Sequence, residues 1–393
     1  MKSSVVYSPL GIFAFDAEDN LIERVFFSKD PNDVADILEA LGKGERVSEI
    51  RMLKKKLDDK GYDEIVSDDS IIVSAFALEQ GNATTDIEAS KSVLLRKRIE
   101  EMILEEGYFG SDKDLRGFLH DVSVAIARKV VQEESGRKDL MVIQAILTLD
   151  DLDKTFNLFA NRLREWYGYY FPEMGGIVDE SDKYVRLVAT LNGRSNLKAD
   201  DLINEGLLVD KADTLAQAAQ NSMGANLPKE DLNQIVEFAR FLLKFYESRT
   251  TLEKYLEATL KQVAPNTLAL LGPTLSARLI AKAGGLGNLA KKAASTIQVL
   301  GAEKALFRAL RTGNRPPKHG LIFQHKDVHQ APRWQRGKIA RALAGKAAIA
   351  VRLDTYGGDY RGEQLLENYE KRLKEIRDKY AQPPPRRTRN DRS

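Results

Sequence analysis

Cysteine is absent from this sequence of 393 residues, and so is any apolar stretch long enough to cross a membrane. The lack of cysteine excludes disulfide bonds, thiolate metal ligands and cysteine nucleophiles. The first ten residues, MKSSVVYSPL, contain neither the apolar core nor the cleavage site of a secretion signal. From these absences we expect a cytoplasmic protein.

The common enzyme motifs are missing as well. The glycine-rich segment 284–287 is followed by asparagine instead of the Lys-Ser or Lys-Thr of a phosphate-binding loop. Three histidines, His319, His325 and His329, lie close together in the sequence, but Asp327 is their one acidic neighbour among many cations. Because zinc needs about four ligands in fixed geometry, we predict no metal site here. The sequence also predicts no catalytic residue.

The distribution of charge is very uneven. The formal net charge is only +2, yet residues 278–352 contain sixteen Lys and Arg against two acidic residues, a net charge of +14. The remainder of the chain must therefore carry −12. A merely solvated face would mix both signs, so a basic block inside an acidic chain predicts a nucleic-acid surface.

Residues 1–110 have the pattern of a small α/β domain. Two apolar runs, 5–15 and 21–27, flank an acidic turn and predict a hairpin. A proline at residue 31 and a glycine at residue 42 bracket an amphipathic helix. The remaining elements expected in this segment are a helix at 47–57, a strand at 70–76 and a charged helix at 87–104. We interpret this domain as a docking module.

Residues 111–262 are helical throughout. Apolar residues recur at spacings of three and four without a break from Val142 to Tyr170, which is the pattern of a coiled-coil seam. A helix over 138–170 would be roughly 50 Å long, and a second long helix starts after Pro228. Two such helices predict an antiparallel arm with structure at its tip, although a compact helical bundle is the alternative. The seam residues chosen as the dimerisation surface are Leu149, Leu152, Phe156, Phe159, Leu163 and Trp166.

Residues 263–370 form the predicted basic domain, which is all-α. A short helix at 302–310 aligns Lys304, Arg308 and Arg311 along one side. Its other residues, Ala305, Leu306, Ala309 and Leu310, are expected to seat the helix on a core. The segment 281–287 is consistent with a phosphate-binding helix-hairpin-helix turn or with an internal packing turn. Residues 371–393 are expected to complete a helix and to end in a disordered basic tail.

The remaining candidates for RNA contact lie between residues 318 and 341. His325 is the strongest candidate for stacking on an unpaired base, because it follows the stiff apolar run 321–323. The alternative is a structural role in which its ring hydrogen-bonds a loop carbonyl. The full set beyond the helix at 302–310 is Lys318, His319, His325, Gln330, Arg333, Arg336, Lys338 and Arg341.

Several of these segments resemble the Nop family of box C/D ribonucleoprotein scaffolds. The segment 301–313, GAEKALFRALRTG, together with 316–325, PPKHGLIFQH, closely resembles the signature of the Nop domain. Similar likenesses occur at 164–168, REWYG, at 331–333, APR, and at 337–341, GKIAR. The resemblance extends over essentially the whole chain.

The resemblance implies a division of labour among the three domains. The amino-terminal domain would dock fibrillarin, the coiled coil would pair two copies, and the carboxy-terminal domain would recognise box C/D guide RNA bound to a small kink-turn-binding protein. The chain would then be a non-catalytic scaffold for RNA-guided 2′-O-methylation, without a cofactor of its own because the methyltransferase binds the methyl donor. The short tail favours the archaeal form. The alternatives are a splicing-factor-like Nop protein and a stand-alone RNA-modifying enzyme.

Overall fold

A computed structural model describes residues 1–85, 89–191, 193–194 and 197–383 of the chain. These residues form two compact units, of which the first is Met1–Gly136 and the second begins at Arg137. The first unit combines a small sheet with helices, and the second is helical. The predicted class, mainly helical with a small amino-terminal α/β domain, is confirmed.

The first unit is built on a five-stranded sheet of order β3-β2-β1-β4-β5. Strands β1 to β3 pair antiparallel, whereas β4 pairs parallel with both β1 and β5. The hairpin expected from the two apolar runs is β2 and β3, and β1 takes up the first part of the earlier run. The strands are β1 Lys2–Ser8, β2 Gly11–Phe15, β3 Leu21–Phe26, β4 Glu64–Ser67 and β5 Asn82–Thr85.

Five helices accompany this sheet, and α1, α3 and α5 each begin at a side-chain cap. The Asp30 carboxylate accepts a hydrogen bond from the Asn32 amide at the start of α1 (2.8 Å), directly before Pro31, as the sequence indicated. The helices are α1 Pro31–Gly42, α2 Ser48–Asp59, α3 Ser70–Leu78, α4 Ala89–Glu105 and α5 Asp112–Ser135.

Two expectations for this unit were wrong in detail. The segment 70–76 is helix α3 and not a strand, because the Asp69 carboxylate caps the amide of Ile71 (2.8 Å) and starts a helix despite the β-branched residues. Helix α5 packs on α1, so the first compact unit extends to Gly136 and does not end at residue 110.

The second unit begins with the arm. Helices α6 (Lys138–Gly168) and α11 (Lys229–Val263) run antiparallel, since Asp153 pairs with Arg249 (2.8 Å) and the rings of Phe159 and Phe238 lie 5.9 Å apart. The predicted antiparallel arm is therefore present within one chain. Its tip consists of α7 Pro172–Ile177, α8 Ser181–Leu191, α9 Ala199–Asn204 and α10 Val209–Gln220.

The seam residues of the arm divide into two groups. Leu149, Phe156 and Leu163 are buried inside this one chain, so they cannot face a second copy. Leu152 and Phe159 are half-buried, and Trp166 remains 41% exposed. Each group repeats every seven residues, so both stay on their own side of α6 along its length. The buried side is completed by Ala160 and Tyr167, four residues after Phe156 and Leu163, and not by the residues three after them.

The carboxy-terminal helices surround the root of the arm. Val142 and Leu149 of α6 and Leu260 of α11 belong to the same hydrophobic core as helix α18, so the arm and the basic domain are not separated at residue 262. The helices are α12 Pro265–Leu271, α13 Pro273–Ala283, α14 Leu286–Ala290, α15 Ala294–Val299, α16 Glu303–Thr312, a 3-10 turn Leu321–Gln324, α17 Lys326–His329, α18 Arg333–Thr355 and α19 Gly362–Lys379.

Candidate nucleic-acid interface

The loop that leaves α16 is fixed against the end of α15 by close backbone contact. The Gly320 amide donates to the Gln298 carbonyl (2.8 Å), and the Gln298 side-chain amide donates to the Lys318 carbonyl (2.6 Å). A Cβ atom at Gly320 would lie only 2.0 Å from the Leu300 carbonyl oxygen. Glycine is therefore required for this approach, which holds Lys318 opposite helix α18.

A groove of about 610 Å³ lies between this loop and helices α18 and α19. Four cationic side chains line it: Lys318, Lys338, Arg341 and Arg372. Its walls are apolar and aromatic, formed by Pro316, Pro317, Trp334, Ile376 and Tyr380. Cations beside flat apolar surfaces suit a ligand that presents phosphates and bases.

The electrostatics of the groove favour an anionic ligand. In the described part of the chain, Lys318, Lys338 and Arg341 form no ion pair, while Arg372 pairs with Glu375 one turn away. The Lys338 ammonium lies 4.2 Å from the ring centroid of Tyr380. The Tyr380 carbonyl accepts hydrogen bonds from Trp334 Nε1 and Gln335 Nε2, both 2.9 Å. The aromatic edge of the groove is therefore held in place.

Helix α16 carries a second cationic surface. Lys304, Arg308 and Arg311 are exposed along it, as the sequence predicted. The expected apolar seat is half correct: Ala309 is buried and Leu306 half-buried. Ala305 and Leu310 face solvent instead, the latter 71% exposed. The helix therefore projects from the domain with both its cations and an apolar edge accessible.

Two histidines and an arginine surround one phenylalanine between these surfaces. The His319 ring stacks on Phe323 with centroids 4.6 Å apart, His329 approaches the same ring at 5.1 Å, and the Arg336 guanidinium lies 5.2 Å from its centroid. Arg336 also donates to the Ala331 carbonyl (2.8 Å). Burial, together with the nearby cations, lowers the pKa of His319. Arg336 therefore stabilises the loop as well as contributing charge.

His325 does not form a stacking surface. Its side chain is only 10% exposed, and its ring meets Tyr369 edge-on at 5.9 Å. Its Nδ1 atom accepts from the Asp327 amide at the start of α17 (3.4 Å). Burial lowers the pKa of this ring, although Asp327 opposes the shift. His325 therefore has a structural role, although its described hydrogen bond comes from a backbone amide, whereas the alternative considered from the sequence had the ring bonding a loop carbonyl.

The glycine turn after α13 is also resolved as a packing turn. The Asp139 carboxylate accepts a hydrogen bond from the Leu286 amide (2.8 Å) and pairs with Arg137 (2.8 Å). An internal carboxylate thus takes the place that a phosphate would occupy in a helix-hairpin-helix motif. Through this hydrogen bond, the turn between α13 and α14 is held against the start of α6.

The structure places the predicted residues unequally. It brings three of them together in the groove, leaves Gln330 and Arg333 exposed nearby, and keeps the three cations of α16 on their own surface. Sequence reasoning missed Arg372 and Gln298, which join the groove through tertiary packing. In the sequence, the charge of Arg372 was the only property that could have suggested an RNA contact, and Arg372 is one of many charged residues on α19.

Neither a metal centre nor a membrane segment is found where the chain is described. No group of three or more His, Asp or Glu side chains there could hold a metal ion. No helix within those ranges combines the length and apolarity needed to cross a membrane.

Comparison with known families identifies two matching domains. The family model described as "Nop: snoRNA binding domain, fibrillarin" matches residues 148–375. A second model, described as "Archaeal Nop5/56-rel, N-terminal domain", matches residues 3–132. Both matches agree with the resemblance seen in the motifs.

Individual relatives extend these matches. A NOP5 family protein of Methanocaldococcus jannaschii is 41% identical over 383 residues, which is 96% of this chain and 87% of the relative. Nucleolar protein 58 of Schizosaccharomyces pombe is 38% identical over 338 residues, covering 85% of this chain and 66% of the relative. A chain of a solved fibrillarin/Nop5p complex aligns with a TM-score of 0.38 at 24% identity, over 70% of this chain and 84% of that chain.

Proposed function

Because this chain belongs to the Nop family, we propose that it is a non-catalytic scaffold of a box C/D ribonucleoprotein. In this role it brings the methyltransferase fibrillarin to a guide RNA for 2′-O-methylation. The observation that supports the proposal is the segregation of charge, with the cations of the groove and of α16 in the carboxy-terminal domain and a net negative charge on the amino-terminal unit.

The shape of the basic surface suits a bent RNA better than a regular duplex. Side chains cannot read the deep major groove of an A-form helix, and they reach unpaired bases mainly at loops and bends. Phosphate contacts position a protein on RNA but give little sequence specificity. We therefore propose that a kink-turn-binding protein, already seated on the RNA, completes the site. The exposed apolar edge of α16 at Phe307 and Leu310 is available for that contact.

The amino-terminal unit is unsuited to RNA and suited to a protein partner. Residues 1–136 contain 18 Lys and Arg against 28 Asp and Glu, a net charge of −10. Such a charge repels phosphates and attracts basic protein surfaces. We assign the fibrillarin contact to this unit.

Self-association is assigned to one side of the arm, which we name the aromatic flank. It comprises Leu152, Phe159, Trp166, Phe238, Phe241 and Phe245. The rings of Trp166 and Phe238 lie 6.4 Å apart, and Phe241 is 53% exposed. An apolar strip along two packed helices can be buried by the same strip of a second copy in an isologous interface.

Reconstitution with purified components tests this function. The full chain, fibrillarin, a kink-turn-binding protein, guide RNA, target RNA and methyl donor are combined, and each protein is omitted in turn. We expect 2′-O-methylation only when all are present, and we expect the chain to bind protein-loaded guide RNA far more tightly than naked RNA.

Two outcomes would contradict the proposal in different ways. Methyl transfer or cleavage by the chain without fibrillarin would favour the alternative of a stand-alone RNA-modifying enzyme. Equal affinity for naked and protein-loaded RNA would eliminate the composite site while leaving a general RNA-binding role.

A further inference from the structure

The two edge strands of the amino-terminal sheet differ in whether side chains occupy their backbone carbonyl groups. At the outer edge of β3, Lys60 Nζ donates to the Ile22 carbonyl (3.0 Å) and Lys56 Nζ donates to the Arg24 carbonyl (3.1 Å). Glu23 pairs with both lysines at 2.8 and 3.2 Å. Lysine side chains at an edge occupy backbone acceptors and prevent another strand from adding there.

The opposite edge, strand β5, has no such protection. Among the described residues β5 pairs with β4 alone, and no side chain hydrogen-bonds to its backbone. Asn82, Thr84 and Thr85 are exposed, and only Ala83 is half-buried. Backbone groups of alternate residues in an edge strand point away from the sheet, where an added strand can pair with them.

Exposed apolar side chains lie on the two helices that precede and follow β5 in the chain. Leu78 lies at the end of α3, which packs beside β5, and it is partly exposed. On α4, the helix that follows β5 in the chain, Val93 and Leu94 are 51% and 67% exposed. An added strand would therefore find backbone partners along β5 and, at the end of α3 beside it, the exposed apolar side chain of Leu78.

Charge decides which occupant fits this edge. A second copy of the chain would bring one unit of net charge −10 against another, which like-charge repulsion opposes. A strand from a different protein with basic flanking residues is attracted instead. We propose that an extended, basic-flanked segment of the methyltransferase partner adds to β5 as a sixth strand, an inference that rests on the proposed function.

Hydrogen–deuterium exchange of the full chain tests this contact directly. With saturating fibrillarin, the peptide spanning 82–85 should exchange at least about tenfold more slowly, because new hydrogen bonds protect its outward amides. A complex that forms without protection of 82–85 overturns the inference and leaves the proposed function standing. If no complex forms, the proposed function itself fails.

Proline variants supply an independent measurement. Amides of adjacent strand residues point to opposite sides, so one of Ala83→Pro and Thr84→Pro removes an outward donor and the other disturbs pairing with β4. The variant that keeps the wild-type melting temperature should bind fibrillarin at least about tenfold more weakly. Lys60→Ala, at the protected edge, is the matched control and should bind normally. Wild-type affinity in a folded proline variant overturns the inference.

Discussion

Replacing one groove cation should change how the affinity for RNA depends on salt. Arg341 is exposed, lines the groove and forms no ion pair among the described residues. Its removal should leave the fold intact, because the side chain holds no other part of the domain in place. We predict that Arg341→Ala weakens binding to protein-loaded guide RNA and flattens the salt dependence.

The size of the effect follows from counterion release. If each of the four groove cations meets one phosphate, the log–log slope of affinity against salt concentration is about −2.8 to −3.6. Between 50 and 200 mM salt the wild type then loses about 50- to 150-fold in affinity. With one contact fewer, the loss falls to about 20- to 40-fold.

Filter binding or anisotropy at five salt concentrations measures these slopes. Arg341→Lys keeps the charge and should keep the slope, even where it loses the geometry of the guanidinium. Arg116→Ala removes an exposed arginine from the amino-terminal unit and should change nothing. A wild-type slope in Arg341→Ala would refute the assignment of the groove to phosphate binding.

Three further predictions concern stability. Phe156→Ala should lower the free energy of unfolding by about 3–5 kcal/mol in urea titrations, because its buried ring packs 5.0 Å from that of Tyr246. Burial lowers the pKa of His325, so the folded state resists protonation; stability is full above the unfolded pKa of about 6.5 and declines as pH falls below it. His325→Gln should show a shallower loss of melting temperature between pH 7 and 5, and equal profiles would contradict this. Burial raises the pKa of Asp139, but hydrogen bonds, including one from Leu286, outweigh it and hold the pKa below its usual value. Asp139→Asn should lower the melting temperature at pH 7, and the difference from wild type should shrink as acid protonates the aspartate.

Local patterns were sufficient to predict most of the helices. Proline and glycine positions indicated α1, and the periodicity of apolar residues indicated both long helices of the arm. The same local view failed at 70–76, where β-branched residues suggested a strand and the aspartate cap before them starts a helix. Residue propensity for strand is a weak guide when a helix cap and a buried helix face both favour the helix.

The sequence predicted which residues could form the site better than it predicted how the fold arranges them. Charge counting located the basic block, and it identified Lys318, Lys338 and Arg341, which the fold brings together. It could not separate those from Arg336, whose guanidinium is partly used inside the loop, or from the buried His325. Arg372 joins the groove from the last helix, and nothing in the spacing of residues along the chain indicates that meeting.

The heptad pattern indicated the arm but not which of its surfaces would join two copies in the proposed dimer. A helix in an antiparallel pair needs an apolar stripe for its own partner, and a dimer needs a second stripe beside the first. Helix α6 carries both, with Phe156 and Leu163 facing inward and Phe159 and Trp166 on the aromatic flank.

Helix α6 also runs without a break into the core of the basic domain, where Leu149 is buried. Leu149 and Trp166, seventeen residues apart along the helix, are separated by about 26 Å at ~1.5 Å per residue. One continuous helix therefore sets the separation between the RNA-binding domain and the proposed dimer surface. A change confined to the aromatic flank, such as Phe241→Asp, should for this reason abolish dimerisation while leaving the affinity of each chain for RNA unchanged.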